Sequence, residues 1–152
     1  MASSVSGRIE LWASALDGIR DFRFTGMGMN GFRKVMPVLY PRPAAAIDVD
    51  VSHAHNHLLQ EALDLGVPGL IAYSAPWIVV AGMLVRTYRD SSDVLFRRVA
   101  IGLGLGLVGH FVFSLTDAIP LGAKAGVLFW LTVSLATSLF LVSPAGARRP
   151  GK

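Results

Sequence analysis

The strongest constraint on this chain is a trio of apolar runs in its second half. "VPGLIAYSAPWIVVAGMLV" occupies about residues 67–85 without a charge, "VAIGLGLGLVGHFVFSL" about 99–115, and "AGVLFWLTVSLATSLFLV" about 125–142. A bilayer core of roughly 30 Å is crossed by about 20 apolar helical residues, so each run is read as a transmembrane helix. The composition agrees. Of 152 residues 53% are hydrophobic and only 16% charged, with a mean hydropathy of +0.53, which is too apolar for an ordinary soluble domain. The chain has no cysteine, which excludes disulfides, thiolate metal sites and cysteine nucleophiles.

The charge distribution gives the orientation. Residues 1–65 carry six basic and seven acidic side chains, and the remainder carries eight basic and three acidic. The basic excess flanks the apolar runs instead of forming a patch interleaved with aromatics, so nucleic acid is not an expected partner. "RTYRDSSDVLFRR" holds Arg86, Arg89, Arg97 and Arg98, and the tail 143–152 holds Arg148, Arg149 and Lys152. The connection "TDAIPLGAK" offers only Lys124. By the positive-inside rule the arginine loop and the basic tail are cytoplasmic, while 116–124 and the whole of 1–66 lie outside. "MASSVSGRIELW" has no apolar stretch of the kind a signal peptide needs. The expectation is therefore that upstream transmembrane helices are missing and that the chain is the C-terminal piece of a larger protein.

Residues 1–66 read as two amphipathic helices around a Gly/Pro-rich loop. In "GRIELWASALDGIRD" the apolar positions Ile9, Trp12, Leu16 and Ile19 recur at helical spacing. "NHLLQEALDL" sets Leu58, Leu59, Ala62 and Leu63 on one face and Gln60, Glu61 and Asp64 on the other, with Gly66 as a stop and Pro68 behind it. The stretch "FTGMGMNGFRKVMPVLYPRPAAAIDVD" reads as loop. Gly26, Gly28 and Gly31 match the dinucleotide pattern G-x-G-x-x-G, with Asp48 and Asp50 about 20 residues on. However, a helix precedes them and prolines 37, 41 and 43 follow, which leaves a flexible loop. The expected fold is thus an all-α membrane protein: an outer region 1–66, then transmembrane helices over 67–142.

Four positions or groups carry possible chemistry. His53, His55 and His57 alternate, so a strand would present them together as metal ligands, whereas a helix would align His53 and His57 without His55. Zinc would need further ligands, for which Asp48 or Asp50 is available, but no second cluster has ligand spacing, and no metal is expected. His55 suits a general base better. It stands near the start of a helix, in register with Leu59 and Ala62, where the helix dipole and apolar surroundings favour the neutral imidazole a base requires. His110 lies inside an apolar run and Asp117 just beyond it, a pair suited to lining a polar cavity or to an interhelical hydrogen bond. Arg8 is placed to hold a phosphate through its planar fork, or to stand as a solvated surface arginine.

His55-Asn56, nine further residues and then Gly66-Val67-Pro68-Gly69 resemble the H-N-x9-G-x-x-G signature of the O-antigen ligase and polymerase family. "GRIELWASALDGI" is similar to the segment that opens that family's large periplasmic loop, and "FTGMGMNGF" to the glycine-rich stretch after it. "GHFVFSLTDAIPLGAKAGVLFW" is similar to the family's C-terminal histidine and "LTDA" block. The resemblance implies a polytopic inner-membrane glycosyltransferase with a periplasmic site and no metal or other cofactor. Such an enzyme moves a glycan from undecaprenyl pyrophosphate to an acceptor hydroxyl, which for a ligase belongs to lipid A–core. The same features belong to O-antigen polymerases and protein O-oligosaccharyltransferases, and a truncated, non-catalytic membrane protein would retain them too. By resemblance His55 is the base, Arg8 helps to hold the donor pyrophosphate, and Asn56, Gly66 and Gly69 shape the helix and its turn into the membrane. The donor, the acceptor and membrane lipids are the implied partners.

Overall fold

In the computed structural model, residues 2–29, 31–41, 53–119 and 123–147 are described here. Six helices occur among them: α1 (Ala2–Asp21), α2 (Gly31–Leu39), α3 (His57–Asp90), α4 (Val94–Ser114), α5 (Lys124–Val142) and the single turn α6 (Pro144–Ala147). No strand is found among the described residues, as an all-α chain requires. The helices α3, α4 and α5 are each long and apolar enough to cross a membrane. The chain divides into two compact units, Met1–Tyr73 with Ser114–Ala118, and Ser74–Phe113 with Ile119–Lys152.

The first unit is built on a small apolar core. Leu11 and Ala15 of α1, Phe32 and Met36 of α2, Ala54 and Leu63 are buried together, with Trp12, Ile19 and Leu59 packed around them. Burying a leucine or phenylalanine side chain is worth about 1.5–3 kcal/mol, so these few contacts account for much of the adhesion of α1 and α2 to α3. The buried face of α1 differs from the expected stripe. Trp12 and Ile19 do turn inward, but Ile9 and Leu16 are 59% and 47% exposed, and Leu11 and Ala15 take the inner positions. Alanine at the contact lets neighbouring helices approach closely, which a search for large apolar residues overlooks. The helix also begins at Ala2, so Arg8 stands in its second turn and not at its start.

Part of the expected loop is helix. Residues 31–39 form α2, whose Phe32 and Met36, four apart, face the core. Pro37 lies in its last turn, where it forgoes one ladder bond, and the helix stops two residues later. Tyr40, just beyond, donates its hydroxyl to the Asp21 carboxylate and so ties the end of α2 to the end of α1.

The chain breaks at Gly66, as its glycine and following proline suggested, and then resumes as helix. Gly66 has φ 71° and ψ −179°, a backbone region essentially reserved for glycine. A break exposes carbonyls on one side and amides on the other. The glycine-rich segment 22–28 satisfies both. The amides of Met27 and Gly28 donate to the carbonyls of Leu63 (2.6 Å) and Asp64 (3.1 Å), and the Val67 amide donates to the Arg23 carbonyl (2.7 Å). The expected flexible loop is therefore a splice across the break. A Cβ on Gly26 would lie 2.3 Å from the Asp64 carbonyl oxygen, and one on Gly69 would lie 2.2 Å from Leu65 Cβ.

In the second unit Val80, Leu84, Ala100, Leu107, Phe129 and Ala136 form the core, and Trp77 stacks on Phe129 at 4.7 Å between ring centroids. The outward faces are apolar as well, with Ile78 73% and Leu105 67% exposed, the pattern of a surface that meets lipid instead of water. Thr132, Ser134 and Thr137 of α5 donate their hydroxyls to the carbonyls four residues earlier, so no hydroxyl of this trio lacks a partner in an apolar setting. The arginine loop is shorter than its sequence suggested. Only residues 91–93 are non-helical between α3 and α4. Asp93 caps α4 by accepting from the Leu95 amide (2.7 Å), and Arg97 lies over the Tyr88 ring at 4.7 Å. Arg148, Arg149 and Lys152 fall outside the described residues.

Candidate active site

The histidines lie on a short approach to α3 whose conformation is set by Ala54. This residue is fully buried, and both its backbone groups are claimed by side chains. Its amide donates to Gln60 Oε1 (3.0 Å), and its carbonyl accepts from Trp12 Nε1 (2.9 Å). Gln60 is itself fixed, because its amide nitrogen donates to both carboxylate oxygens of Asp64 at 3.0 Å. Gln60 was expected on the polar face of its helix; it is buried because Ala54 and Asp64 together use its carbonyl and its amide.

Asn56 is the N-cap of α3. Its Oδ1 accepts from the Leu59 amide (3.1 Å), the usual cap geometry, and its Nδ2 donates to the Leu115 carbonyl (3.4 Å). Both ends of this amide are therefore engaged. His55 consequently precedes the helix and does not share a face with Leu59 and Ala62 as the spacing suggested. It adopts φ 48°, a left-handed conformation uncommon for a residue with a side chain.

That turn brings His55 and His53 to one carboxylate. His55 Nδ1 lies 3.2 Å from Asp117 Oδ1, and His53 Nδ1 lies 3.7 Å from the same oxygen. The two imidazole rings are 4.4 Å apart edge to face. Asp117 Oδ1 also accepts from the Ala118 amide at 2.9 Å, which fixes the carboxylate. The side chains of His53, His55 and Asp117 are 26%, 35% and 43% exposed, so solvent and a substrate can reach them. Burial first, and the neighbouring His55 second, push the His53 pKa below the ordinary histidine value, while Asp117 pulls it back up. One metal-ligating atom from each of the three residues lies within 4.8 Å of the others. Asp48 and Asp50, the carboxylates just ahead of these histidines in sequence, lie outside the described residues.

The other positions fall elsewhere. His57 is buried, with its ring edge-on to Tyr73 at 5.0 Å and its Nε2 3.8 Å from Glu61. Asp117 belongs to the histidine site of the first unit. His110 belongs to the second, where its ring stacks on Phe129 at 5.2 Å. Arg8 is exposed on α1. Sequence spacing did not reveal the meeting of Asp117 with His55, because 62 residues and two apolar helices separate them. Trp12 and Gln60, which hold the histidine turn, carried no signal beyond the presence of polar atoms on otherwise amphipathic helices.

An Asp-held imidazole can take a proton. With its Nδ1–H directed at Asp117, neutral His55 keeps the Nε2 lone pair available to a hydroxyl. No curated protein and no solved structure matches the chain. A family model described as O-antigen ligase matches residues 2–74, a segment that contains α1, the glycine splice, His53, His55 and the break at Gly66. The match and the three apolar helices together describe a multi-pass membrane protein. Over residues 2–74 the chain is thus similar to the O-antigen ligase family.

Proposed function

We propose that the chain is the C-terminal part of a glycosyltransferase that moves a glycan from undecaprenyl pyrophosphate to an acceptor hydroxyl, with a sugar of lipid A–core as acceptor. It acts in the bacterial inner membrane with the histidine site facing the periplasm. The observation that carries this reading is the 3.2 Å contact between Asp117 Oδ1 and the Nδ1 of His55, which lies in the family-matched segment.

In the proposed mechanism Asp117 accepts the Nδ1–H of His55 and fixes the ring. His55 Nε2 removes the acceptor proton as the hydroxyl attacks the anomeric carbon. The bond from that carbon to the pyrophosphate breaks, and the pyrophosphate leaves on its lipid. Arg8, exposed on α1, offers a guanidinium to the charge that develops on the leaving group. The histidines stand just before the helix whose apolar run begins past Gly66, so the base lies near the interface where a lipid carrier presents its headgroup.

The test is glycan transfer from a lipid-pyrophosphate donor, run with the chain, with His55→Ala, and with each joined to a family-type set of upstream helices. Transfer to lipid A–core that disappears with His55→Ala supports the reading. Transfer only to another glycan chain makes the protein a polymerase, and transfer to a protein hydroxyl makes it a protein glycosylation enzyme. Transfer by none of the forms, with all of them folded, leaves a membrane protein that keeps the motifs without the activity and overturns the proposal.

A further inference from the structure

We propose that His53, His55 and Asp117 also form a site for a divalent ion of the zinc class, and that occupancy switches the base off. The site rests on geometry alone, and its consequence for catalysis rests on the reading of His55 as base. Zinc holds nitrogen and oxygen ligands at about 2.0–2.2 Å, and the edges of such a tetrahedron are about 3.3–3.5 Å. The two distances from Asp117 Oδ1, 3.2 Å to His55 Nδ1 and 3.7 Å to His53 Nδ1, bracket that edge. A ligand nitrogen of each histidine lies within 4.8 Å of one on the other, so a short movement of the His53 ring would complete a face.

The scaffold around these atoms is fixed, whereas the side chains themselves reach solvent. Ala54, between the two histidines, is pinned at its amide and at its carbonyl, and Asp117 is held by the Ala118 amide. Two contacts must be given up, the long bond from the His55 amide to His53 Nδ1 (3.4 Å) and the His55 Nδ1 pairing with Asp117 (3.2 Å). Imidazole nitrogens with one carboxylate suit a first-row transition ion better than magnesium or calcium, which prefer all-oxygen shells. The partial exposure of all three residues leaves the fourth position open to water.

Occupancy and base function exclude each other at the His55 ring. A neutral imidazole has one N–H. In the Asp117 pairing the proton is on Nδ1 and the lone pair is on Nε2. An ion bound at Nδ1 requires the proton to move to Nε2, with none gained or lost, and Nε2 then has no lone pair to accept a proton from a hydroxyl. The ion also removes Asp117 as the orienting acceptor.

Cobalt(II) absorption and zinc-dependent thermal unfolding decide the site, measured on the detergent-solubilised chain prepared without a histidine tag. One equivalent of cobalt should give visible bands that zinc abolishes. Zinc should raise the unfolding midpoint by several degrees, and His53→Ala should weaken both effects at least tenfold while keeping the wild-type helical content. Absence of bands and of a midpoint shift in the wild type, or equal binding by His53→Ala, overturns the site. In the transfer assay zinc should inhibit the wild type reversibly, with chelator restoring activity, and His53→Ala should require at least tenfold more zinc. Zinc that binds without inhibiting overturns the switch, and the spectroscopic arm decides the site even if no transfer is observed.

Discussion

Asp117 Oδ1 and His55 Nδ1 lie 3.2 Å apart although 62 residues separate them in the chain, and this contact joins the matched N-terminal segment to the connection between α4 and α5. If the contact orients the base, its removal should act on turnover and not on binding. Asp117→Asn should lower the rate of transfer by about 10²–10⁴-fold with little change in KM, and Asp117→Glu should recover part of the loss. Combining Asp117→Asn with His55→Ala should cost no more than His55→Ala alone, because the two side chains act as one unit. An additive double variant in the same assay would separate their roles.

Trp12 and Gln60 hold Ala54 from its two sides, and each can be tested by leaving Ala54 with an orphan. Trp12→Phe keeps the ring but strips the donor from a buried carbonyl, at an expected cost of about 1–3 kcal/mol. Gln60→Leu leaves the buried amide without its acceptor and should cost a similar amount. Denaturant unfolding in detergent measures both. Because the histidines flank Ala54, each variant should lose transfer beyond what its fraction unfolded accounts for.

The break at Gly66 predicts unequal tolerance among the glycines. Gly66→Ala forces a side chain into a glycine-only backbone region and toward the Arg23 carbonyl at 2.9 Å, a loss of about 1–3 kcal/mol from the backbone conformation alone. Gly26→Ala should be at least as damaging, since its Cβ meets the Asp64 carbonyl. Gly28 has φ 84° but open space around it, so Gly28→Asn, a residue that accepts this conformation, should cost least of the three. Thermal unfolding of the three variants checks the order.

Tyr40 gives a spectroscopic check on the packing of α1 against α2. The hydrogen bond to Asp21 first, then burial and the charges of Asp21 and Asp17, push its pKa up to about 12. The fold favours the protonated phenol, so any stability from this bond is present below the ordinary tyrosine value of about 10 and fades as the pH rises from there toward 12. The wild-type minus Tyr40→Phe difference titration at 295 nm should be centred near 12, and a midpoint near 10 would mean the bond does not form in solution.

The sequence made the large-scale plan legible because membrane crossing is written in long apolar runs, and α3, α4 and α5 coincide with them apart from their ends. It made Gly66 legible because a glycine at a helix end, with a proline two residues on, marks a stop in the helix. It concealed α2, since glycine and proline at its two ends masked the apolar pair Phe32 and Met36. The inner face of α1 was hidden because Ala15 contributes closeness, not bulk. The site was half legible. His55 could be singled out from its neighbours, but its partnership with Asp117 depends on tertiary folding that no local spacing encodes.

The contact between His55 and Asp117 also sets an order of events in biosynthesis. His55 is made first, and Asp117 emerges only after the chain has synthesised residues 56–117, which include both α3 and α4. At about 5–20 residues per second, His55 waits roughly 3–12 s for Asp117. Once residue 67 has been made, the glycine splice and the N-cap bond to Leu59 can form, while the imidazole still lacks the Asp117 carboxylate. On the proposed reading of His55, a nascent chain has no oriented base at this position until α3 and α4 have both been made, and a chain interrupted before Asp117 would carry the signature histidine without its carboxylate partner.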